Sequence, residues 1–142
     1  MKLTIDIITQ EKHVLTKEID RLVAPADQGE VTILPKHIPL FTKLSDGVVI
    51  LINDHQKEEI AILGGFMDVA PNSKVTILSD AAVHADDINI VKAQAAKKAA
   101  EETLKHKVSK VEFKQAEASL RRAILELKVA RRRAPRQTPQ SQ

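Results

Sequence analysis

The chain has 142 residues, 43% of them hydrophobic, and a formal net charge of +3, which together indicate one compact domain or one domain with an appendage. The lack of cysteine excludes disulfides, thiolate metal sites and cysteine nucleophiles, and it suits a reducing compartment. Three Phe and no Trp or Tyr leave no base-stacking surface, so we expect no nucleic-acid partner. No apolar run approaches the roughly 18 residues of a membrane span, so we expect a soluble chain.

The small net charge conceals two halves of opposite sign. Residues 1–85 carry 8 basic and 12 acidic side chains, a net charge of −4, whereas residues 86–142 carry 14 basic and 7 acidic side chains, a net charge of +7. The hydrophobic period changes at the same point. We therefore predict a β domain at residues 1–85, a helical hairpin at residues 86–133 and a disordered polar tail at residues 134–142.

Short apolar runs in the first half predict β-strands. The first run, "KLTIDIIT", alternates Leu3, Ile5 and Ile7 with polar side chains. Further runs lie at residues 18–24, 30–34, 47–52, 59–63 and 74–78. Turn-forming Pro, Gly, Asn and Asp residues separate them, and no intervening segment is long enough for a helical crossover. The prediction is an antiparallel β-sandwich without helices.

The stretch "GEVTILPKHIPLFTKL" at residues 29–44 does not fit one strand, because Pro35 and Pro39 each remove a backbone donor. The segment must therefore leave the sheet while still carrying several large apolar residues. One interpretation is that these side chains close one end of the sandwich: Ile33, Leu34, Ile38 and Leu40.

Beyond Asp86 the pattern becomes helical. Asp86 or Asp87 can cap a first helix, in which four residues form one stripe: Ile88, Val91, Ala95 and Ala99. Ser109 and Glu112 have the spacing of a capping box that begins a second helix. The stripe of that second helix is longer: Phe113, Ala116, Leu120, Ala123, Leu127 and Ala130. The short connection predicts an antiparallel hairpin, and the fold class is therefore α+β.

The predicted hairpin has little apolar surface, because half of its stripe positions are alanine. Full burial of a Leu or Ile side chain stabilises by roughly 1.5 to 3 kcal/mol, whereas an alanine contributes only a methyl group. A hairpin that opens and a permanently docked pair of helices are both compatible with this pattern.

Catalytic and metal-binding patterns are missing from the sequence, so we expect no enzyme activity and no metal site. The histidines are scattered without the close helical spacing of a metal site: His13, His37, His55, His84 and His106. Gly64 and Gly65 lack the downstream residues of a phosphate-binding loop, which favours a strand bend or close packing.

A basic cluster at residues 121–136 contains seven Lys and Arg residues and one acid, Glu126. Cations near a helix C-terminus favour the negative end of its dipole, but seven exceed what this effect requires. From the residues alone, a solvated helix face and a nucleic-acid-binding tail are both open interpretations.

Five segments in order resemble the epsilon subunits of F-type ATP synthases: "GEVTILPKHIPLFTKL", "LGGFMDVAP", "KVTILSDAA", "DDINIVKAQAAKKAAE" and "EFKQAEASLRRAILELKVA". The resemblance covers about residues 3–130. It implies a ten-stranded β-sandwich followed by a helical hairpin, in a non-catalytic subunit of the central stalk, or rotor. Its implied partners are the gamma subunit and the membrane-embedded c-ring, at the cytoplasmic face of the cell membrane and in contact with the membrane only through the complex.

The resemblance also implies roles for particular residues. The loop that faces the c-ring in this family corresponds here to Glu30, Ile33, His37 and Ile38, and Pro35 and Pro39 would stiffen it before binding. The extended second helix of the family contacts the catalytic beta subunits and their alpha neighbours and inhibits ATP hydrolysis. The matching residues here are Arg121, Arg122, Lys128, Arg131, Arg132 and Arg133.

Some family members bind ATP between the two helices, through a pattern of Ile or Leu, Asp, two residues, Arg and Ala, with further arginines. Here Asn89 replaces the acid, Lys92 replaces the arginine, and Glu126 stands where a second-helix arginine is expected. Only Arg122 fits. Lys does not replace Arg in bidentate phosphate binding. The resemblance therefore implies no more than weak binding of ATP, as a regulatory ligand, by Asn89, Lys92 and Arg122.

Two alternatives to a stalk subunit remain from the sequence. One is a free-standing adaptor, and the other is a nucleotide-sensing β-sandwich module with a basic helical tail. Binding to a gamma subunit and a c-ring would distinguish a stalk subunit from both.

Overall fold

The computed structural model describes residues 1–133, in which the chain forms two compact units. The first unit is Met1–Asp87, and the second begins at Ile88. The predicted disordered tail at residues 134–142 lies outside the described residues.

Ten strands and a short 3-10 turn at Ala85–Asp87 make up the first unit. The strands are β1 (Leu3–Thr9), β2 (His13–Ile19), β3 (Arg21–Ala26), β4 (Gly29–Ile33), β5 (Leu40–Leu44), β6 (Gly47–Asn53), β7 (Gln56–Ile62), β8 (Gly65–Ala70), β9 (Lys74–Ser79) and β10 (Ala82–His84).

All ten strands belong to one sheet, with the order β10-β7-β6-β3-β5-β8-β9-β1-β2 and with β4 as a further partner of β3. Although β2 and β6 lie far apart in this order, they contact each other, so the sheet folds back over itself. The predicted fold class, an antiparallel β-sandwich followed by a two-helix hairpin, is confirmed.

One strand pair differs from the prediction. Among residues 1–133, β1 and β9 are the only hydrogen-bonded neighbours that run parallel, with Ile5 beside Val75 and Ile7 beside Ile77. The physical reason is that no hairpin connects these strands, since some sixty residues of chain separate them and can cross the sandwich.

The core of the first unit consists of inward-facing side chains from β1 to β9. The alternation of "LTIDIIT" places Leu3, Ile5 and Ile7 inside, where none of the three retains any exposed surface. The buried set is otherwise dominated by Ile, Leu and Val, with Met67 as its single methionine. This rigid core holds the loops at the ends of the strands in place.

The second unit is a hairpin of two helices, α1 (Ile90–Leu104) and α2 (Lys110–Arg133). The predicted cap of the first helix is wrong, because Asn89 caps α1 by accepting a hydrogen bond from the Lys92 amide at 3.0 Å. Asp86 and Asp87 lie in the preceding 3-10 turn. The predicted cap of the second helix is confirmed, since Ser109 Oγ accepts from the Glu112 amide at 3.1 Å.

The stripe predicted for α1 is wrong. Val91 is 75% exposed and Ala95 and Ala99 are also exposed, whereas Ala93 and Ala100 are buried two helical turns apart on another face. An alanine-rich helix has small apolar side chains on several faces, so its periodicity does not define one buried face.

The stripe predicted for α2 is largely confirmed. Ala116 and Ala123 are buried, and three further positions are half-buried: Leu120, Leu127 and Ala130. Phe113 remains exposed, and Leu125 and Val129 are buried on a face outside the predicted stripe. None of the helices within residues 1–133 has the length and apolarity required to cross a membrane.

Candidate functional site

The segment between β4 and β5, residues 34–39, forms a tight loop that we call the proline loop. The His37 amide donates to the Leu34 carbonyl at 3.0 Å and closes a β-turn around Pro35 and Lys36. Lys36 has a φ of 67°, so the turn combines proline at its second position with a left-handed residue at its third, as type II turns do. The sequence prediction that this segment leaves the sheet is confirmed.

The proline loop presents its apolar side chains outward. Ile38 is 76% exposed and Leu34 is also exposed, so these two residues do not close the end of the sandwich. His37 is half-buried, and its Nδ1 lies 2.7 Å from the Ile38 carbonyl oxygen. Because a carbonyl oxygen can only accept, this contact makes Nδ1 the donor.

Ile33 is the exception among the residues assigned to docking. It has no exposed surface and belongs to the core, so its predicted contact with a partner is wrong. Strand alternation explains the difference, since Thr32 and Leu34 on either side of it point outward.

Glu30 lies on β4, where it is exposed and pairs across the sheet with Pro25. It lines an open cleft of about 420 Å³ between the β3–β4 turn and β5. Asp27 and Lys43 contribute further charges to this cleft, and Phe41 contributes an aromatic side chain. Glu30 can therefore accept hydrogen bonds from a donor group that enters the cleft.

Phe41 also belongs to an exposed apolar patch that the sequence reasoning missed. Its ring stacks on Phe66 with centroids 5.6 Å apart, and Leu78 lies directly across from Phe66 in the sheet. All three side chains are exposed. The sequence carries a signal for Leu78, because it ends the predicted run at residues 74–78 at a solvent-facing position where a polar residue is usual. It carries none for Phe66, because no run is predicted over β8.

The basic cluster lies at the end of α2, and the geometry of the hairpin shows how far it projects. The two helices share an open cleft of about 350 Å³, which sets Thr103 near Glu112 and Ala96 near Ser119. α2 has 24 residues and its antiparallel partner α1 has 15, and a short connection joins them at the other end of the hairpin. The last turns of α2 therefore extend past the start of α1, and three of their basic side chains are exposed: Lys128, Arg131 and Arg132.

Two of the three residues of the weak ATP site already have partners within the hairpin. The Asn89 side chain caps α1, as described above. Arg122 Nε donates to Glu126 Oε2 at 3.1 Å, one turn along α2. A phosphate would have to displace Glu126 from Arg122, because a carboxylate repels an anion.

Arg121 is exposed, and the Arg133 side chain lies outside the described part of the structure. Within residues 1–133, no group of three or more His, Asp or Glu side chains is placed to share a metal ion.

Two family models match consecutive parts of the chain. The model described as "ATP synthase, Delta/Epsilon chain, beta-sandwich domain" matches residues 2–85. The model described as "ATP synthase, Delta/Epsilon chain, long alpha-helix domain" matches residues 86–131. The sandwich and the hairpin together therefore define a chain of the ATP synthase delta/epsilon class.

Individual relatives specify the class further. The ATP synthase epsilon chain of Herpetosiphon aurantiacus is 41% identical over 137 residues, which cover 96% of this chain and 100% of the relative. The ATP synthase epsilon chain of Desulforamulus reducens is 42% identical over 126 residues, which cover 89% of this chain and 95% of the relative. This chain belongs to the epsilon-chain family of F-type ATP synthases.

Two solved structures share the fold. A chain of the Euglena gracilis mitochondrial ATP synthase, in a structure described as OSCP/F1/c-ring, has a TM-score of 0.66 at 20% identity, and the match covers 84% of this chain and 76% of that one. A chain of the Tetrahymena thermophila mitochondrial ATP synthase, in a structure described as central stalk/c-ring, has a TM-score of 0.61 at 12% identity and covers 92% of this chain and 97% of that one.

Proposed function

We propose that this chain is a non-catalytic subunit of the central stalk of the F-type ATP synthase. The sandwich binds the gamma shaft and the c-ring, and the hairpin inhibits ATP hydrolysis when its basic end reaches the alpha and beta catalytic subunits. The chain lies at the cytoplasmic face of the membrane and meets it only through the complex. The family membership supports this assignment, as does the description of the Tetrahymena structure as a central stalk and c-ring.

The observation that carries the proposal is the separation of two kinds of surface onto two units. The sandwich presents the proline loop, Glu30 and the Phe41–Phe66 stack, all supported by a rigid core. The hairpin presents exposed cations on the last turns of α2. A rotor subunit that anchors at one place and regulates at another requires this division.

Docking of the sandwich is tested by binding of the full chain to gamma alone and to an assembly of gamma and the c-ring. We expect Glu30→Lys and Ile38→Asp each to weaken binding to the assembly by about tenfold or more, because each places a charge that the polar ring loops do not match. Binding to gamma alone should change little. If the variants lost as much affinity for gamma alone as for the assembly, the assignment of these residues to the c-ring would be contradicted.

Regulation is tested by reversing charge at Arg131, Arg132 and Arg133 together in a reconstituted ATP synthase. Charged hydrogen bonds contribute about 1.5 to 3 kcal/mol each, and moving a hairpin from 99% docked to 99% extended takes about 5.5 kcal/mol. Two or three lost contacts should therefore raise the ATP hydrolysis rate severalfold.

A matched control reverses the same amount of charge elsewhere in the hairpin, at the exposed residues Lys98, Lys107 and Lys110. We expect this triple variant to leave the hydrolysis rate near that of the unmodified complex. Unchanged hydrolysis in the arginine variant, or an equal rise in both, would contradict inhibition by the end of α2.

Weak ATP binding belongs to the same proposal. Because Glu126 forms an ion pair with Arg122, calorimetry on the full chain should detect ATP binding only at millimolar concentration. Glu126→Gln should tighten ATP binding, because the Arg122 guanidinium then has no carboxylate partner. Tight binding by the unmodified chain would instead favour a nucleotide sensor.

A further inference from the structure

Two residues with left-handed backbone conformation meet at one end of the sandwich. Lys36 in the proline loop has a φ of 67°, and Ser73 in the turn between β8 and β9 has a φ of 61°. The Lys36 amide donates to Ser73 Oγ at 2.8 Å. Residues other than glycine rarely adopt this conformation and, where they do, they often mark functional positions.

The hydrogen bond to Ser73 gives the Lys36 amide a partner that the turn itself does not provide. In a β-turn the amide of the fourth residue bonds to the carbonyl of the first, which here joins His37 to Leu34, and the amide of the third residue has no partner within the turn. That third residue is Lys36. Ser73 therefore fixes the middle of the proline loop from outside it.

Ser73 is itself held by the sheet. Its carbonyl accepts a hydrogen bond from the Thr4 amide at 3.0 Å, at the start of β1. Asn and Gly are the residues that tolerate a left-handed backbone most readily, so serine costs stability at this position. The hydroxyl is the feature that neither replacement would supply in the same place.

We infer that Ser73 is a positioning residue for docking: it holds the proline loop, and with it His37 and Ile38, in the shape that the partner binds. The inference rests on the proposed function, because the partner is taken to be the c-ring. A loop ordered in advance loses less conformational entropy on binding. Removal of the hydrogen bond from Lys36 to Ser73 should therefore weaken docking without removing any contact between the loop and its partner.

The test uses the full chain with Ser73→Gly and Ser73→Ala, and it measures binding to an assembly of gamma and the c-ring and to gamma alone. The loss of one hydrogen bond should weaken binding to the assembly by about five- to tenfold, and binding to gamma alone should not change. Exchange of the Lys36 amide with solvent, followed by NMR, should become faster in both variants.

Glycine separates the positioning role from a structural one. Because Ser73→Gly relieves the left-handed strain, its thermal unfolding temperature should equal or exceed that of the unmodified chain even though docking weakens. The matched control is Asn72→Ala in the same turn, since the Asn72 side chain makes no hydrogen bond within residues 1–133. This control should bind normally.

Two outcomes would overturn the inference, and they are distinguishable. If the unmodified chain binds the assembly and both Ser73 variants bind equally well, the positioning role is wrong and the proposed function stands. If the unmodified chain does not bind the assembly, the proposed function fails and the inference fails with it.

Discussion

Gly65 lies at a position of the sandwich where a larger side chain does not fit. Its φ is 113°, and a Cβ built there would lie 1.9 Å from the Leu78 carbonyl oxygen on the neighbouring strand β9. Its neighbour Gly64 has a φ of 55°, and the nearest atoms to a Cβ there are 3.6 Å away. The two glycines are adjacent in sequence, but only Gly65 has both a forbidden conformation and no space.

We expect Gly65→Ala to destabilise the sandwich by about 3 kcal/mol or more, because a backbone shift must accompany the new methyl group. Gly64→Ala should cost only about 1 to 2 kcal/mol, the ordinary penalty for a left-handed alanine. Urea denaturation of the full chain, followed by circular dichroism, measures both. Equal losses in the two variants would show that the sheet relaxes around Gly65.

Asp6 on β1 links stability to pH through its neighbours on β2 and β9. The hydroxyl of Thr16, which donates to the Asp6 carboxylate, lowers the pKa of that carboxyl, and the His13 ring and the Lys74 ammonium act in the same direction. A carboxyl whose pKa is lowered by folding stabilises the folded state above its unfolded pKa of about 4. This contribution disappears as the pH falls through the folded pKa.

Thr16→Val should therefore destabilise the chain more at pH 7 than at pH 2 to 3. We expect a loss of about 1 kcal/mol at neutral pH, the net contribution of one hydrogen bond, and a smaller loss in acid. The control is Thr32→Val on β4, since the Thr32 hydroxyl has no partner among residues 1–133. Denaturant unfolding across this pH range measures the difference, and a pH-independent loss would contradict the role of the Asp6 carboxylate.

The strands and helices differ in how far their residues predict them. β1, β4, β6, β7 and β9 follow from short apolar runs, which alternate in β1 and are continuous in β6 and β7. The run at residues 18–24 predicts one strand but covers the end of β2 and the start of β3, because the turn at Asp20 interrupts the pattern by a single residue. β8 has no clear signal of its own, since Phe66 on its outer face obscures the alternation.

The residues of the candidate site could also be predicted only in part from the sequence. The sequence predicts that Pro35 and Pro39 break the sheet, and the resemblance points to Glu30, His37 and Ile38, which do lie at the surface. Neither indicates Ser73, because the bond from Lys36 to Ser73 depends on two turns that fold together from distant parts of the chain. Local patterns cannot report a contact of this kind.

The two helix caps allow a test confined to the hairpin. Asn89 and Ser109 each accept a hydrogen bond from an amide of the first helical turn. Asn89→Ala and Ser109→Ala should each destabilise their own helix by about 1 kcal/mol, because the amide loses its partner. Hydrogen exchange of the first-turn amides of α1 and α2, measured separately, detects the two effects.

The control for the cap variants is a substitution that should stabilise a helix rather than destabilise it. Ser119 lies in the interior of α2, where alanine is a better helix former, so Ser119→Ala should stabilise α2 by a few tenths of a kcal/mol. Protection factors that fall for Ser119→Ala as they do for the cap variants would contradict the capping role.

The two units of the chain differ in what holds them together. The sandwich buries sixteen apolar residues in one cluster, most of them Ile, Leu and Val. Within the described part of the hairpin, the buried side chains are four alanines, Leu125 and Val129. Because hydrophobic stabilisation scales with buried apolar area, the free energy that closes the hairpin must be much smaller than that of the sandwich.

We therefore expect the helix amides to exchange with solvent through openings that leave the sandwich amides protected. The free energy of these openings should lie several kcal/mol below that of global unfolding, since elements with few buried apolar contacts open locally. Native-state hydrogen exchange on the full chain, at increasing urea concentration, measures both free energies. A chain that ends at Asp87 provides the control, because its strand amides should keep nearly the same protection. If the helix and strand amides instead exchange with one common free energy, the hairpin opens only when the sandwich unfolds, and a regulatory movement of α2 would require another source.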